Sequence, residues 1–119
     1  MGYSEIVNEH FFNPRNVGTL DSPDAIGIAG SPGEGEYVVL HFLLKEGKIA
    51  AARFQTFGCG PAIAACSLLT EWVKDKSIGE ACSLTTEQLT EMLGGLPEDK
   101  RFCASLALRA LHQALETKA

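Results

Sequence analysis

The four cysteines of this chain stand at positions 59, 66, 82 and 103, and no two of them form a Cys-x-x-Cys pair. That spacing excludes a zinc ribbon and a thioredoxin-type redox motif. No apolar stretch is long enough to span a bilayer. The opening residues Met1-Gly2-Tyr3-Ser4-Glu5 lack the basic and apolar regions of a secretory signal, and nothing resembles an arginine-rich transit peptide. No basic stripe interrupts an acidic balance of 15 carboxylates against 10 lysines and arginines, which argues against nucleic acid as a partner. Together these absences point to a cytoplasmic chain in a reducing compartment. Its cysteines then read as thiols, ligands or core residues rather than disulfides.

What is present suffices for one domain. A chain of 119 residues with 45% apolar content buries a core without staples, and no repeat, low-complexity tract or linker divides residues 1–119. Ser4 is placed to cap a helix from Glu5 to about Phe12, which Asn13-Pro14-Arg15-Asn16-Val17-Gly18 ends. Ile26 to Ala29 reads as a short strand. Tyr37 to Leu44 reads as a second, with Val38, Leu40, Phe42 and Leu44 on one face. Lys45-Glu46-Gly47-Lys48 is a hairpin turn into a third strand, Ile49 to Phe57, with Ala50, Ala52 and Phe54 on one face. The period then becomes helical through Ile63, Cys66, Leu69 and Val73. Further helices are expected at 78–82, at 86–93 with Thr86 as cap, and from Glu98 to about Glu116. A helix, an antiparallel meander and then helices make an α+β domain: a small three-stranded sheet with helices packed on one face.

One cysteine is poorly placed to be core. Cys59 sits in Phe57-Gly58-Cys59-Gly60-Pro61, between a strand and a long helix. The glycines let the chain bend and leave the sulfur uncovered, and the free N–H groups of the following helix favour a thiolate. Cys66 lies on the apolar stripe of that helix and Cys82 on a short amphipathic turn, so both read as buried small hydrophobes. Cys103 is evenly balanced between core residue and thiolate near a helix start. Glu34 and Glu36 flank Gly35 in a Gly- and Pro-rich loop. They are either solvated loop carboxylates or oxygen ligands that a hairpin brings beside Cys59. His10, His41 and His112 read as surface or satisfied core residues.

Several motifs occur in a fixed order: Tyr3-Ser4, Asn13-Pro14-Arg15-Asn16-Val17-Gly18, Gly30-Ser31-Pro32, Ala52-Arg53-Phe54-Gln55-Thr56-Phe57-Gly58-Cys59-Gly60, and Ser67-Leu68-Leu69-Thr70-Glu71-Trp72-Val73-Lys74. Over nearly its whole length the chain resembles the IscU/NifU family of iron–sulfur cluster assembly scaffolds. The resemblance implies a small antiparallel sheet with helices on one side. It implies a scaffold or carrier rather than an enzyme. Such a protein holds iron or an iron–sulfur cluster, receives sulfur from a cysteine desulfurase and passes the cluster to acceptor proteins.

The family's second and third ligand cysteines fall on Cys59 and Cys103, and its basic residue near the third falls on Lys100. Phe102 stands where many members have histidine. The family's Gly-Ala-Pro-x-Cys-Gly-Asp pattern aligns with Gly30-Ser31-Pro32-Gly33-Glu34-Gly35-Glu36, so Glu34 replaces the first cysteine and Glu36 the aspartate. A chaperone reads Leu-Pro-Pro-Val-Lys in part of the family. This chain has Leu96-Pro97-Glu98-Asp99-Lys100, and its two acids tell against that contact.

Two thiolates with one or two carboxylates are harder than a set of three thiolates. Iron–sulfur clusters prefer thiolates, whereas zinc and ferrous iron accept mixed sulfur and oxygen. A ligand set of Cys59, Cys103 and Glu36, with Glu34 or water in the last place, follows from the resemblance. Two alternatives stand beside the scaffold: a zinc-binding sulfur acceptor that builds no cluster, and a degenerate scaffold fold kept for protein binding.

Overall fold

The computed structural model describes residues 3–31 and 33–118. Pro32, one of the motif residues, therefore lies outside the described residues. The chain runs through α1 (Glu5–Phe12), β1 (Ala25–Gly30), β2 (Tyr37–Lys45), β3 (Lys48–Phe57), α2 (Gly60–Trp72), α3 (Ile78–Cys82), α4 (Thr86–Met92) and α5 (Phe102–Leu115). Short 3₁₀ turns occupy Glu98–Lys100 and Glu116–Lys118. The strands form one antiparallel sheet in the order β1-β2-β3. Helices α2 and α5 lie against it and α1 packs on α2, so the expected α+β architecture is the observed one.

Local chemistry explains the boundaries. Ser4 accepts the Val7 N–H at 3.0 Å and starts α1. Glu46 and Gly47 both have positive φ, 55° and 79°, the backbone of a two-residue type I′ hairpin between β2 and β3. The expected cap Thr86 is displaced by Thr85. Thr85 and Gln88 satisfy each other's backbone N–H groups in a capping box, a reciprocal pair that Thr86 cannot form. The last helix also starts later than Glu98. Lys100 N–H bonds to the Pro97 carbonyl at 2.8 Å, a tight i→i+3 turn, and α5 begins only at Phe102.

The core lies between the sheet and α2 and α5. Leu40, Phe42, Ile49, Phe54, Leu69 and Leu111 are all fully buried there. A register shift between Leu43 and Leu44 corrects one expectation, because the extra residue flips the alternation: Ile49, not Ala50, turns to the core. Helix α5 presses directly on β1. A Cβ on Gly27 would lie 1.8 Å from the Ala110 carbonyl oxygen, so only glycine allows that approach. Gln113 of the same helix accepts the Ile28 N–H at 2.6 Å and closes part of the free edge of β1. The edge of β3 is closed differently. Phe54 donates to the Asn16 carbonyl and receives the Gly18 N–H, at 2.9 and 2.8 Å.

Helix α1 holds two distant segments. The Phe11 ring lies against Gly60, with 3.3 Å between a ring carbon and the place of a Cβ. At its other end, the Ser4 hydroxyl donates to the Leu93 carbonyl, and Gly94 leaves room for the Ser4 side chain.

Candidate metal centre

The turn from β3 into α2 places Cys59 as the residue before the helix. Its backbone is extended and its side chain caps nothing, while Pro61 occupies the first turn. The sulfur is therefore spared for other contacts, and its residue is half-buried. Cys103 arrives from the first turn of α5 and is fully buried. The two Sγ atoms stand 3.5 Å apart. From the start of β2, Glu36 brings Oε1 to 3.9 Å from the Cys59 sulfur, where the thiol can donate to it. One ligand atom from each of Glu36, Cys59 and Cys103 lies within 4.8 Å of the others.

This spacing fits one tetrahedral ion. Metal–sulfur bonds of about 2.3 Å and metal–oxygen bonds of about 2.0 Å in a tetrahedron put sulfurs about 3.8 Å apart, and sulfur and oxygen about 3.5 Å apart. The observed 3.5 and 3.9 Å need only small side-chain adjustments to match.

The electrostatics also suit a cation. Burial, the hydrogen bond that the Cys103 thiol can donate to the Cys59 sulfur, and the negative charges of Cys59 and Glu36 push the Cys103 thiol well above the usual range, and Lys100 opposes them. Lys100 itself is held more firmly protonated, chiefly by Cys59. A divalent ion would supply in place what Lys100 supplies in part. It would stabilise two thiolates beside a carboxylate.

The structure thus gathers three of the four residues expected as ligands and sets Lys100 beside them. It does not gather Glu34, which is exposed on the turn before β2 and outside the cluster. Gly33 and Gly35 on either side of it have φ of 87° and 123°, left-handed backbone that glycine adopts readily.

The remaining thiols sit apart. Cys66 is fully buried in the core, and burial pushes its pKa far up. Cys82 was expected to be buried and is only half so, because α3 is short and leaves it on the wall of a cleft facing α5. His10 is buried and satisfied, with Nδ1 2.7 Å from the Ser67 hydroxyl. His41 accepts the Leu20 N–H at 3.1 Å, and His112 pairs with Glu116.

Sequence reasoning missed the part played by Gly58. A Cβ there would meet Glu36 Oε1 at 2.6 Å, so the glycine keeps the space that the carboxylate fills. The run Gly-Cys-Gly signals a bend but says nothing of what lies across it.

A sequence profile of the NifU-like N-terminal domain matches residues 2–118. The chain belongs to that family. Among its relatives, the iron–sulfur cluster assembly scaffold protein IscU 1 of Archaeoglobus fulgidus is 43% identical over 113 residues, covering 95% of this chain and 74% of that protein. The iron–sulfur cluster assembly enzyme IscU of Drosophila melanogaster is 48% identical over 117 residues, covering 95% and 75%. The fold agrees with a crystal structure from Fervidobacterium islandicum AW-1, assigned as an iron–sulfur cluster assembly scaffold protein for the SUF system. That structure superposes with a TM-score of 0.75 at 22% identity, over 95% of this chain and 96% of the other. Among the described residues no helix is long and apolar enough to cross a membrane.

Proposed function

We propose that this protein is an iron–sulfur cluster assembly scaffold or carrier of the cytoplasm, with Cys59, Cys103 and Glu36 as its ligands. One observation carries the reading: in a member of this family, three groups from three separate elements converge within 4.8 Å. Iron and the nascent cluster are its cargo, and a cysteine desulfurase supplies the sulfur.

The half-buried Cys59 is the thiol an incoming persulfide can reach, whereas Cys103 is enclosed. The Cys59 thiolate attacks the terminal sulfur of the donor persulfide, and the donor leaves as a thiolate. Two electrons from an external dithiol or iron–sulfur electron donor would release that sulfur as sulfide and regenerate the Cys59 thiolate, beside iron that Cys59, Cys103 and Glu36 would hold. The fourth position stays open to water or to Glu34, or to a ligand from the acceptor protein. A set of two thiolates and one carboxylate releases its cargo more readily than three thiolates would.

Anaerobic reconstitution with iron and sulfide tests this reading. A visible-absorbing cluster that is lost in Cys59→Ser and in Cys103→Ser supports it. Tight zinc without a cluster supports the zinc-binding sulfur acceptor, which the same tetrahedral spacing favours. Absence of any bound metal would leave only a protein-binding role.

A further inference from the structure

A second polar cleft, of about 310 Å³, opens near the far end of α2. Its chemistry-bearing walls are Arg15, Asn16, Arg53, Thr70, Glu71 and Lys74. Thr70 follows Cys59 by eleven positions, roughly 16 Å along the helix axis, so this cleft is separate from the thiol site.

Three cations face one carboxylate here, in a chain whose formal charge is −5. The cluster is built rather than incidental. Arg53 Nη1 donates to the Ala52 carbonyl at 2.9 Å and to Asn16 Oδ1 at 3.3 Å. Asn16 holds a left-handed backbone, φ 67°, and its Nδ2 donates to Thr70 Oγ1 at 3.2 Å. The Thr70 hydroxyl is turned to the Cys66 and Ser67 carbonyls of its own helix. One face of the Arg53 guanidinium is therefore fixed by α2, β3 and the segment after α1.

The cations lack partners for their remaining donors. Among the described residues neither Arg53 nor Lys74 makes an ion pair. Arg15 pairs with Glu9 through Nη2, while its Nη1 is buried with no acceptor.

We propose that this cleft binds a phosphate group, with Arg53 as the oriented fork and Lys74 as the point charge. Glu71 opposes the ligand and limits its affinity. The site owes nothing to metal at the cysteines, and the proposal stands or falls apart from the scaffold function.

The test is an amide-resolved NMR titration of the metal-free full chain. Inorganic phosphate and glycerol 3-phosphate are each compared with potassium chloride at matched ionic strength. Saturable shifts are expected at Arg53, Thr70 and Glu71, with none at Gly58 or Cys59. Saturation by inorganic phosphate identifies the free ion as sufficient; saturation by the ester alone identifies a phosphorylated metabolite. Lys74→Gln should weaken binding about fivefold and Glu71→Gln should tighten it by a similar factor, as one surface charge contact allows. Both side chains project from the surface, so both variants should fold. Shifts no different from those of chloride, or affinities indifferent to both substitutions, would overturn the proposal.

Discussion

Gly58 leaves vacant the space that the Glu36 carboxylate fills: a Cβ at Gly58 would lie 2.6 Å from Glu36 Oε1 and 3.2 Å from the Ala62 Cβ. The nearer atom is the free end of a flexible side chain, so the fold can absorb a methyl group there by giving up the carboxylate's position.

Gly58→Ala should therefore separate metal binding from stability. The variant should keep its unfolding midpoint to within about 1 kcal/mol of stability. Its affinity for zinc or ferrous iron should fall by about 10–100-fold, the range seen when groups that orient metal ligands are lost. Chelator competition on the two proteins measures this, and equal affinities would show that Glu36 does not bind the ion.

Glu34, expected from the resemblance to take the place of a ligand thiol, is exposed and outside the cluster. Glu34→Cys should lengthen the lifetime of a reconstituted cluster, since it adds a third thiol two residues from Glu36 and iron–sulfur clusters prefer thiolates. The decay of visible absorbance under a fixed chelator concentration reports it. An unchanged half-life would mean that position 34 cannot reach the cargo.

Cys66 and Cys82 lie outside the cluster of Glu36, Cys59 and Cys103. Cys66→Ala should cost about 1 kcal/mol, because it empties a fully packed core position, and Cys82→Ala should cost less. Neither should alter the metal content found by elemental analysis. In the native protein Cys66 should stay unmodified by a thiol reagent, since burial holds it protonated and covered. Metal loss in either variant with folding intact would place another thiol in the site.

His10 gives the stability a dependence on pH. Burial lowers its pKa below the usual 6.5, and the charge of Arg15 adds to that, against the opposing pull of Glu71 and Glu9. Well above pH 6.5 the residue is neutral whether folded or not. As the pH falls below that value the unfolded chain takes up the proton first, so stability drops until the folded pKa is passed. Urea unfolding at about pH 7.5, 6 and 5 should show a shallower decline in His10→Asn than in the parent. Identical declines would remove His10 as the source.

The parts of this fold that depend on near neighbours were legible in the sequence. Period-two and helical spacing, with Ser4 and the Lys45-Glu46-Gly47-Lys48 turn, located the strands and most helices. The errors fell where one local choice competes with another. A bulge at Leu43/Leu44 exchanged Ala50 for Ile49 in the core, and the reciprocal pair Thr85–Gln88 outcompeted Thr86 as a cap. At the site, the bend at Cys59 was readable from its two glycines. Spacing alone could not assign Cys103, because its position depends on how α5 seats on β1 through the bare backbone of Gly27. Nor could spacing separate Glu34 from Glu36, which differ by the turn with left-handed glycines at 33 and 35 and by burial. The Arg15, Arg53 and Lys74 cluster left no signal, since three distant segments supply it.

The clasp formed by α1 has a meaning in the time order of synthesis. This helix emerges before either of the segments it grips, the one at Gly60 and the one at Leu93–Gly94. Its docking must wait for both, and Cys103 follows later still. A nascent chain thus exposes the Cys59 thiol well before Cys103 can stand beside it, and a product cut short of α5 would carry that thiol without its neighbour. The juxtaposition of Cys59 and Cys103 is in this sense a late event, which waits for α5 to be made.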